Sequence, residues 1–459
     1  MRSHWMYCLL LPVAWFSPAL SAQPVPIVVD GRFEDWKTIS PLFQPDRPEK
    51  AFDLTSLWAT DDEDYLFLRI DLNQDILLQE NNSLALYLDI DGQGVTGDLA
   101  GAEIVFFFGE RKGYIQHDGE SLPIEYQALD LCTAPSTMGR SFELSIAWDA
   151  HPWLKKLGFG QHPLGVMLFD RRAKEILCYA YYSPQREAHS PISTSTLDKA
   201  DPNHLRLVTH NVNKRHLQPD KRDAFTRIYR ALSPDILVLE EAYEGSPEEI
   251  LDYFRPALPN AADWHAYKAG EEATVVLSPF KAIQVAPLGN SAAYLLDLRP
   301  VYDGELALIV LSLPCCRADS ARQAEAEQIA GYVQLWKNFQ LKPGTPIVLA
   351  GDANLVGPVE QLLTLQQAGD WDGAPLEDLC PRQLQRPTAA TWRGAGFSPS
   401  RLDYVLYSAS CLKVGRRFVF DTVDLPAPLL KRYDLRPEDA PDTYKHMPVV
   451  ADLILPHPK

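Results

Sequence analysis

The stretch PIVLAGDANLVG, Pro346–Gly357, decides how the second half of this chain is read. Ile347, Val348 and Leu349 make an aliphatic run of the kind that forms a strand buried on both faces. The run stops at Gly351-Asp352-Ala353-Asn354. A carboxylate and an amide at the end of a buried strand put polar atoms on a sheet edge, where either a turn or a ligand receives them.

The same design recurs in other segments of the second half. LVTHNVN ends in Asn211 and Asn213, and PDILVLEE ends in Glu240 and Glu241. SRLDYVLYS, preceded by Thr391-Trp392, carries Asp403 near its start, and TYKHMPVVADL sets His446 just before an apolar strand. Between these strands, Pro219–Ser233 places Phe225, Ile228, Tyr229 and Leu232 at helical spacing, and Ala318–Phe339 reads as a long helix. Strands interleaved with helices make this half α/β or layered α+β.

One polar strand end is most simply a turn cap. Three in one domain can converge on one edge. Carboxylate and carbonyl oxygens without clustered His or Cys are the donor set of a hard cation such as Mg²⁺ or Mn²⁺, which keeps water positions open to phosphate oxygens. A histidine held by a carboxylate has a fixed ring and a raised pKa, suited to the charge that develops in phosphoryl transfer.

THNVN, PDILVLEEA, IVLAGDAN, SRLDYVLYS and KHMPV together resemble the endonuclease/exonuclease/phosphatase superfamily, over about Leu205 to Leu455. The resemblance implies a four-layer α/β sandwich, two packed mixed sheets flanked by helices, and metal-dependent hydrolysis of a phosphoester. It implies Asn211 and Glu241 as metal ligands, Asp352 as the group that orients or deprotonates water, Asn354 as a phosphate or metal-water contact, and Asp403 with His446 as a carboxylate–imidazole dyad. Two departures stand out. Lys445 occupies the position before His446 where the family usually has an acid, and Leu313 aligns where many members carry a histidine. Asn213, Arg317 and Lys445 are candidate phosphate contacts.

The first half has no long helical period. Ser56–Leu72, Ser83–Asp91, Ala102–Glu110 and Ser141–Asp149 read as strands separated by turn clusters, the pattern of a β-sandwich. VDGRFEDW, YLDIDGQGVTGDLAGAEIVFFF and FELSIAW resemble family 9 carbohydrate-binding-module-like domains, which implies glycan or cell-envelope material as a partner. Asp89 and Asp91 are candidates for Ca²⁺. Trp36, Trp58, Tyr65 and Trp148 are either stacking platforms for sugar rings or, the simpler reading, core.

The ends and totals complete the layout. Cys8–Phe16 is a short apolar segment followed by small residues, as in an export signal over 1–22. The expected organisation is then a β-sandwich over 23–182, a Ser/Thr/Pro-rich linker over 183–203 and the phosphatase-like domain over 204–459, secreted or periplasmic, with no transmembrane segment. With 61 acidic and 43 basic residues the net charge is −18, which disfavours long nucleic acid as the substrate. Seven cysteines, one of them Cys8, allow one disulfide in the first half and up to two in the second, or free buried thiols. The leading expectation is an exported phosphoester hydrolase that uses Mg²⁺ or Mn²⁺. Its rival, favoured by Lys445 and Leu313, is a secreted binding protein whose phosphatase-like domain has lost catalysis.

Overall fold

The computed structural model describes residues 26–46, 50–186, 196–270, 273–443 and 445–456. The expected export signal and the middle of the expected linker, 187–195, lie outside the described residues.

Period-two alternation builds the first half. Leu54–Asp61, Tyr65–Ile76, Gly139–Ala147 and Cys132–Ala134 form a four-stranded antiparallel sheet. A six-stranded antiparallel sheet runs Glu175–Tyr182, Leu164–Asp170, Leu84–Asp89, Ile104–Phe107, Lys112–His117 and Glu120–Glu125. Leu66, Leu68 and Ile70 face Leu86, Phe106 and Val166 across the core between them. Phe67 points the other way and packs with Trp36 and with Ala390 of the second half. Trp36 and Trp148 are buried, and their indole N–H groups donate to Glu143 and to the Asp62 carbonyl, so both are core residues.

The second half has two mixed six-stranded sheets, each with one parallel pair at its centre. In one sheet Leu205–Asn211 runs parallel to Ile236–Glu240, and Val449–Ile454 lies antiparallel on its other side. In the other, Glu305–Ser312 runs parallel to Ile347–Asp352, and Asp403–Tyr407 is antiparallel to the latter. Leu207, Val238 and Ala451 meet Leu308, Val348 and Val405 between the sheets. The outer faces carry helices. Arg222–Leu232 and Pro247–Phe254 cover the first sheet through Phe225, Ile228 and Phe254. Asp319–Phe339 and Glu360–Gln366 cover the second through Ile329, Val333, Trp336 and Leu365. The layers therefore run helix, sheet, sheet, helix.

The halves are joined by more than the chain between them. Val29 bridges Thr388 as a parallel partner, with Val29 N–H donating to the Pro387 carbonyl at 2.7 Å. Gln79 bonds to Ser398 and Ser400 at 3.0 Å each. The disulfides that the cysteine count allows are absent among the described residues: Cys132, Cys178, Cys315, Cys316, Cys380 and Cys411 are all free. Cys132 and Cys178 sit in different apolar clusters, which removes the pairing expected within the first half. Among the described residues no helix is long and apolar enough to cross a membrane.

Candidate active site

The parallel pairs decide which side chains meet. Asn211 registers with Glu240, and Asp352 registers with Ser312 on one side and with Asp403 on the other. The ends of both sheets therefore deliver their acids to one edge. Gly351 makes this approach possible. Its φ is +138°, and a Cβ there would lie 2.2 Å from the Leu311 carbonyl and 3.0 Å from a Glu240 carboxylate oxygen. Asn213, Glu241 and Asn354 have φ of +40°, +54° and +49°, so three polar residues adopt left-handed backbone where the strands turn away. Such geometry concentrates at functional sites, and it is least costly for asparagine.

Asp352 is held on both oxygens. Its Oδ2 accepts from Asn211 Nδ2 at 2.9 Å and Asn354 Nδ2 at 3.0 Å, and its Oδ1 accepts from the Asn354 backbone N–H at 3.1 Å. Asn211 Nδ2 also donates to Glu241 Oε1 at 3.1 Å, and Asn213 Nδ2 donates to Glu241 Oε2 at 3.0 Å. The Asn211 side-chain Oδ1 accepts from the Asn213 backbone N–H at 2.9 Å. As folded, Asn211 is a clamp between Asp352 and Glu241, and the half-buried Glu241 is the more direct candidate for a cation.

His446 completes the cluster. Its Nδ1 donates to Asp403 Oδ2 at 2.9 Å, and its Nε2 faces Asp352 Oδ2 at 3.8 Å. Burial opposes charge on the ring, but the carboxylates of Asp403 and Asp352 outweigh it and raise the imidazolium pKa to about 9. Burial raises the Asp352 carboxyl to about 7; His446 pulls it down, and Asp403 adds to the rise. Asp352, Asp403 and His446 offer ligand atoms that all lie within 4.8 Å of one another.

Three supports received no individual role in the reading of the sequence, although Thr391 and Glu240 stand at the strand ends it named. Thr391 Oγ1 accepts from the backbone N–H groups of Leu402 and Asp403 at 3.0 and 2.9 Å, and its carbonyl accepts from Met447 N–H at 2.7 Å. It thereby fixes the Asp403 and His446 segments to each other. His210 Nε2 donates to the His446 carbonyl at 3.2 Å, and its Nδ1 accepts from Tyr229 at 2.8 Å. Burial lowers His210 to about 4, which keeps this buttress neutral. Glu240 is fully buried, takes the Thr209 hydroxyl on one oxygen and has no partner for the other. Burial first, and then the Asp403 charge, raise its pKa well above the carboxylate range. The only sequence signal for these was proximity to the motifs.

The candidate phosphate contacts divide. Asn213 belongs to the cluster through Glu241. Arg317 lies outside that cluster and ion-pairs with Glu80 of the first half. Lys445 is exposed, and its stem passes Gly394. Leu313 is buried against the helical layer, but its carbonyl accepts from Asn354 Nδ2 at 2.9 Å.

Residues 208–425 match the model of the Endonuclease/Exonuclease/phosphatase family. No curated protein matches the chain. Among solved structures, humanized D. rerio TDP2 carrying 14 mutations is 14% identical, covering 55% of this chain and 99% of that one at a TM-score of 0.37. The human Nocturnin catalytic domain with bound sulfate is 16% identical, covering 55% and 95% at 0.39. A mutant beta toxin from Staphylococcus aureus with bound magnesium ions is 13% identical, covering 54% and 99% at 0.36.

Proposed function

We propose that residues 204–459 hydrolyse a phosphoester with the help of a divalent cation, in an exported protein whose β-sandwich is an accessory module. The observation that carries this reading is Asp352, bracketed by two asparagine amides on one side and by the His446–Asp403 pair on the other. The donor set fits a hard cation: Glu241 is half-buried and aimed at the cluster, and the neighbouring donors are oxygen and amide groups. Glu241 would hold it, with Asn211 and Asn213 orienting the carboxylate. When bound, the cation polarises the phosphoryl group and offsets its charge.

The remaining work falls to the chain's own side chains. Asp352, with its lone pairs fixed by Asn211 and Asn354, accepts a proton from the attacking water. The water oxygen bonds to phosphorus as the ester P–O bond breaks. His446, anchored through Nδ1, presents its Nε2–H to a phosphoryl oxygen as charge gathers there. The acidic net charge favours small or lipid-linked phosphoesters over long nucleic acid. Hydrolysis of bis(p-nitrophenyl) phosphate by pure protein, dependent on Mg²⁺ or Mn²⁺ and abolished in Asp352→Asn, is the test. Cation binding without hydrolysis would instead support the rival reading of a binding protein.

A second cation site is proposed in the sandwich. Asp89, Asp91 and Glu103 place oxygens within 4.8 Å of one another; Asp89 and Glu103 are buried, and Asp89 Oδ2 has no hydrogen-bond partner. Glu103 lies at the bend just before the strand Ile104–Phe107 and adds a third carboxylate to the two read from sequence. Ca²⁺ suits this oxygen set. Calorimetry with Ca²⁺ on wild type and Asp89→Asn tests it, and equal heats from both proteins would remove the site.

A further inference from the structure

The turn after Glu305–Ser312 carries two adjacent thiols. Cys315 and Cys316 are both exposed, and their sulfur atoms lie 2.7 Å apart. The other described cysteines are buried or partly buried. We propose that Cys315 and Cys316 form a reversible thiol–disulfide switch at the rim of the acidic site, with a small-molecule disulfide as oxidant.

The turn is wired to its surroundings at every step. The Leu313 N–H donates to the Asp352 carbonyl at 2.9 Å, and the Leu313 carbonyl receives the Asn354 amide. The fully buried Arg322 donates to the Pro314 carbonyl at 2.6 Å and to the Cys316 carbonyl at 3.2 and 3.3 Å. Cys316 is left-handed, with φ of +64°. Arg317 then reaches Glu80 in the first half. Partial burial first, then the neighbouring thiol and the charges of Asp352 and Glu241, push Cys315 up to about 11.

The chemistry balances with a disulfide as oxidant. The Cys316 thiolate attacks one sulfur of the small disulfide and releases one thiol. Cys315 then attacks the mixed disulfide, forming the Cys315–Cys316 bond and releasing the second thiol. The two protein thiols are oxidised, the small disulfide is reduced, and the two protons end on the released thiols. Adjacent Cα atoms are about 3.8 Å apart, closer than the usual disulfide range of roughly 4.4–6.8 Å, so the ring is strained and readily reduced. Relieving that strain moves the Cys315–Cys316 peptide, which lies between the Pro314 and Cys316 carbonyls that Arg322 holds and two residues after the Leu313 carbonyl that Asn354 holds.

The effect on turnover rests on the hydrolase reading, whereas the thiol chemistry does not. The full chain is treated with oxidised glutathione, digested and mass-mapped, with amide exchange followed at Asp352–Asn354 and Mg²⁺-dependent hydrolysis of bis(p-nitrophenyl) phosphate assayed in parallel. The expected result is a peptide bonded Cys315 to Cys316, faster exchange at Asp352–Asn354, and hydrolysis reduced about threefold or more, as when one supporting hydrogen bond is disturbed. Dithiothreitol restores all three, and Cys316→Ser shows none of them. Thiols that stay reduced, that keep separate glutathione adducts, or that bond to Cys380 or Cys411 overturn the proposal. So does a Cys315–Cys316 bond that leaves exchange unchanged. If the reduced protein hydrolyses nothing, the hydrolase reading fails, and amide exchange alone decides the switch.

Discussion

His446 spans two carboxylates, with Nδ1 at 2.9 Å from Asp403 Oδ2 and Nε2 at 3.8 Å from Asp352 Oδ2. Asp403 and Asp352 sit directly opposite each other on neighbouring strands. Their like charges would repel at this depth. The imidazolium between them makes the arrangement tenable, and the pair in turn keeps the ring charged.

The pH dependence follows from that relationship. His446 is raised to about 9, above its ordinary 6.5. The stability it contributes is therefore complete below about pH 6.5 and is lost as pH rises through about 9. Asp403→Asn removes the largest favourable charge. The alkaline limb of the pH–rate profile should move down by about one unit or more, with a smaller loss of stability on raising pH. A limb that stays in place would assign it to another group.

Glu241→Gln separates cation binding from folding. The side chain is half-buried, and its oxygens accept from the amides of Asn211 and Asn213. The isostere should fold, with a melting temperature within about 2 °C of wild type. Mg²⁺ affinity by calorimetry should fall about tenfold or more. Unchanged affinity would place the cation elsewhere.

Much of this site was legible because strand ends announce themselves: an aliphatic run stops, and Asn211, Glu241, Asp352 and Asn354 follow within a few residues. Helical spacing likewise marked the helix Arg222–Leu232, preceded by a single turn at Pro219–Lys221. What sequence did not carry was contact between distant segments. Arg317 looked available for phosphate because its partner, Glu80, lies in the other half. Glu103 looked like an ordinary strand residue until the turn brought it to Asp89 and Asp91. The pairing of Val29 with Thr388 joins segments far apart in the chain and leaves no periodic trace in either.

Lys445 carries the sequence departure that argued most against catalysis. Its side chain is exposed, while its carbonyl accepts from the Arg393 N–H at 2.9 Å. A flexible ammonium in water acts weakly on a buried cluster. Lys445→Asp should therefore change Mg²⁺ affinity and turnover by less than about threefold. A large gain in affinity would mean that the ammonium opposes the cation; a large loss of turnover would mean that it contacts phosphate.

Glu143 tests the first half. It is buried at the join between the β-sandwich and the N-terminal segment, and accepts from Asp30 N–H, Gly31 N–H and Trp36 Nε1–H at 2.7, 2.6 and 2.9 Å. Glu143→Ala leaves three donors without an acceptor and opens a cavity beside Trp36. It should destabilise the protein by about 2–4 kcal/mol in urea unfolding. A loss below about 0.5 kcal/mol would mean that water replaces the carboxylate.

The segment between the halves sets the last prediction. Ser183–Asn203 is rich in Ser, Thr, Pro and charge, but its C-terminal end is not loose. Leu197 is fully buried, Thr196 and Asp198 bond to Tyr433, and Arg206 donates to the Leu197 carbonyl at 2.8 Å. On the other side, the backbone N–H groups of Gln185 and Arg186 are held by Asp61. Limited proteolysis should still cut first within Ser183–Asn203, where few apolar residues are available for anchoring, giving fragments of about 20 and 29 kDa. Because Val29 pairs with Thr388, Gln79 with Ser398 and Arg386 with Asp130, the fragments should still co-elute on gel filtration without denaturant. Cutting first inside either half would move the boundary. Separation of the nicked fragments would mean that the covalent link, rather than this interface, holds the halves together.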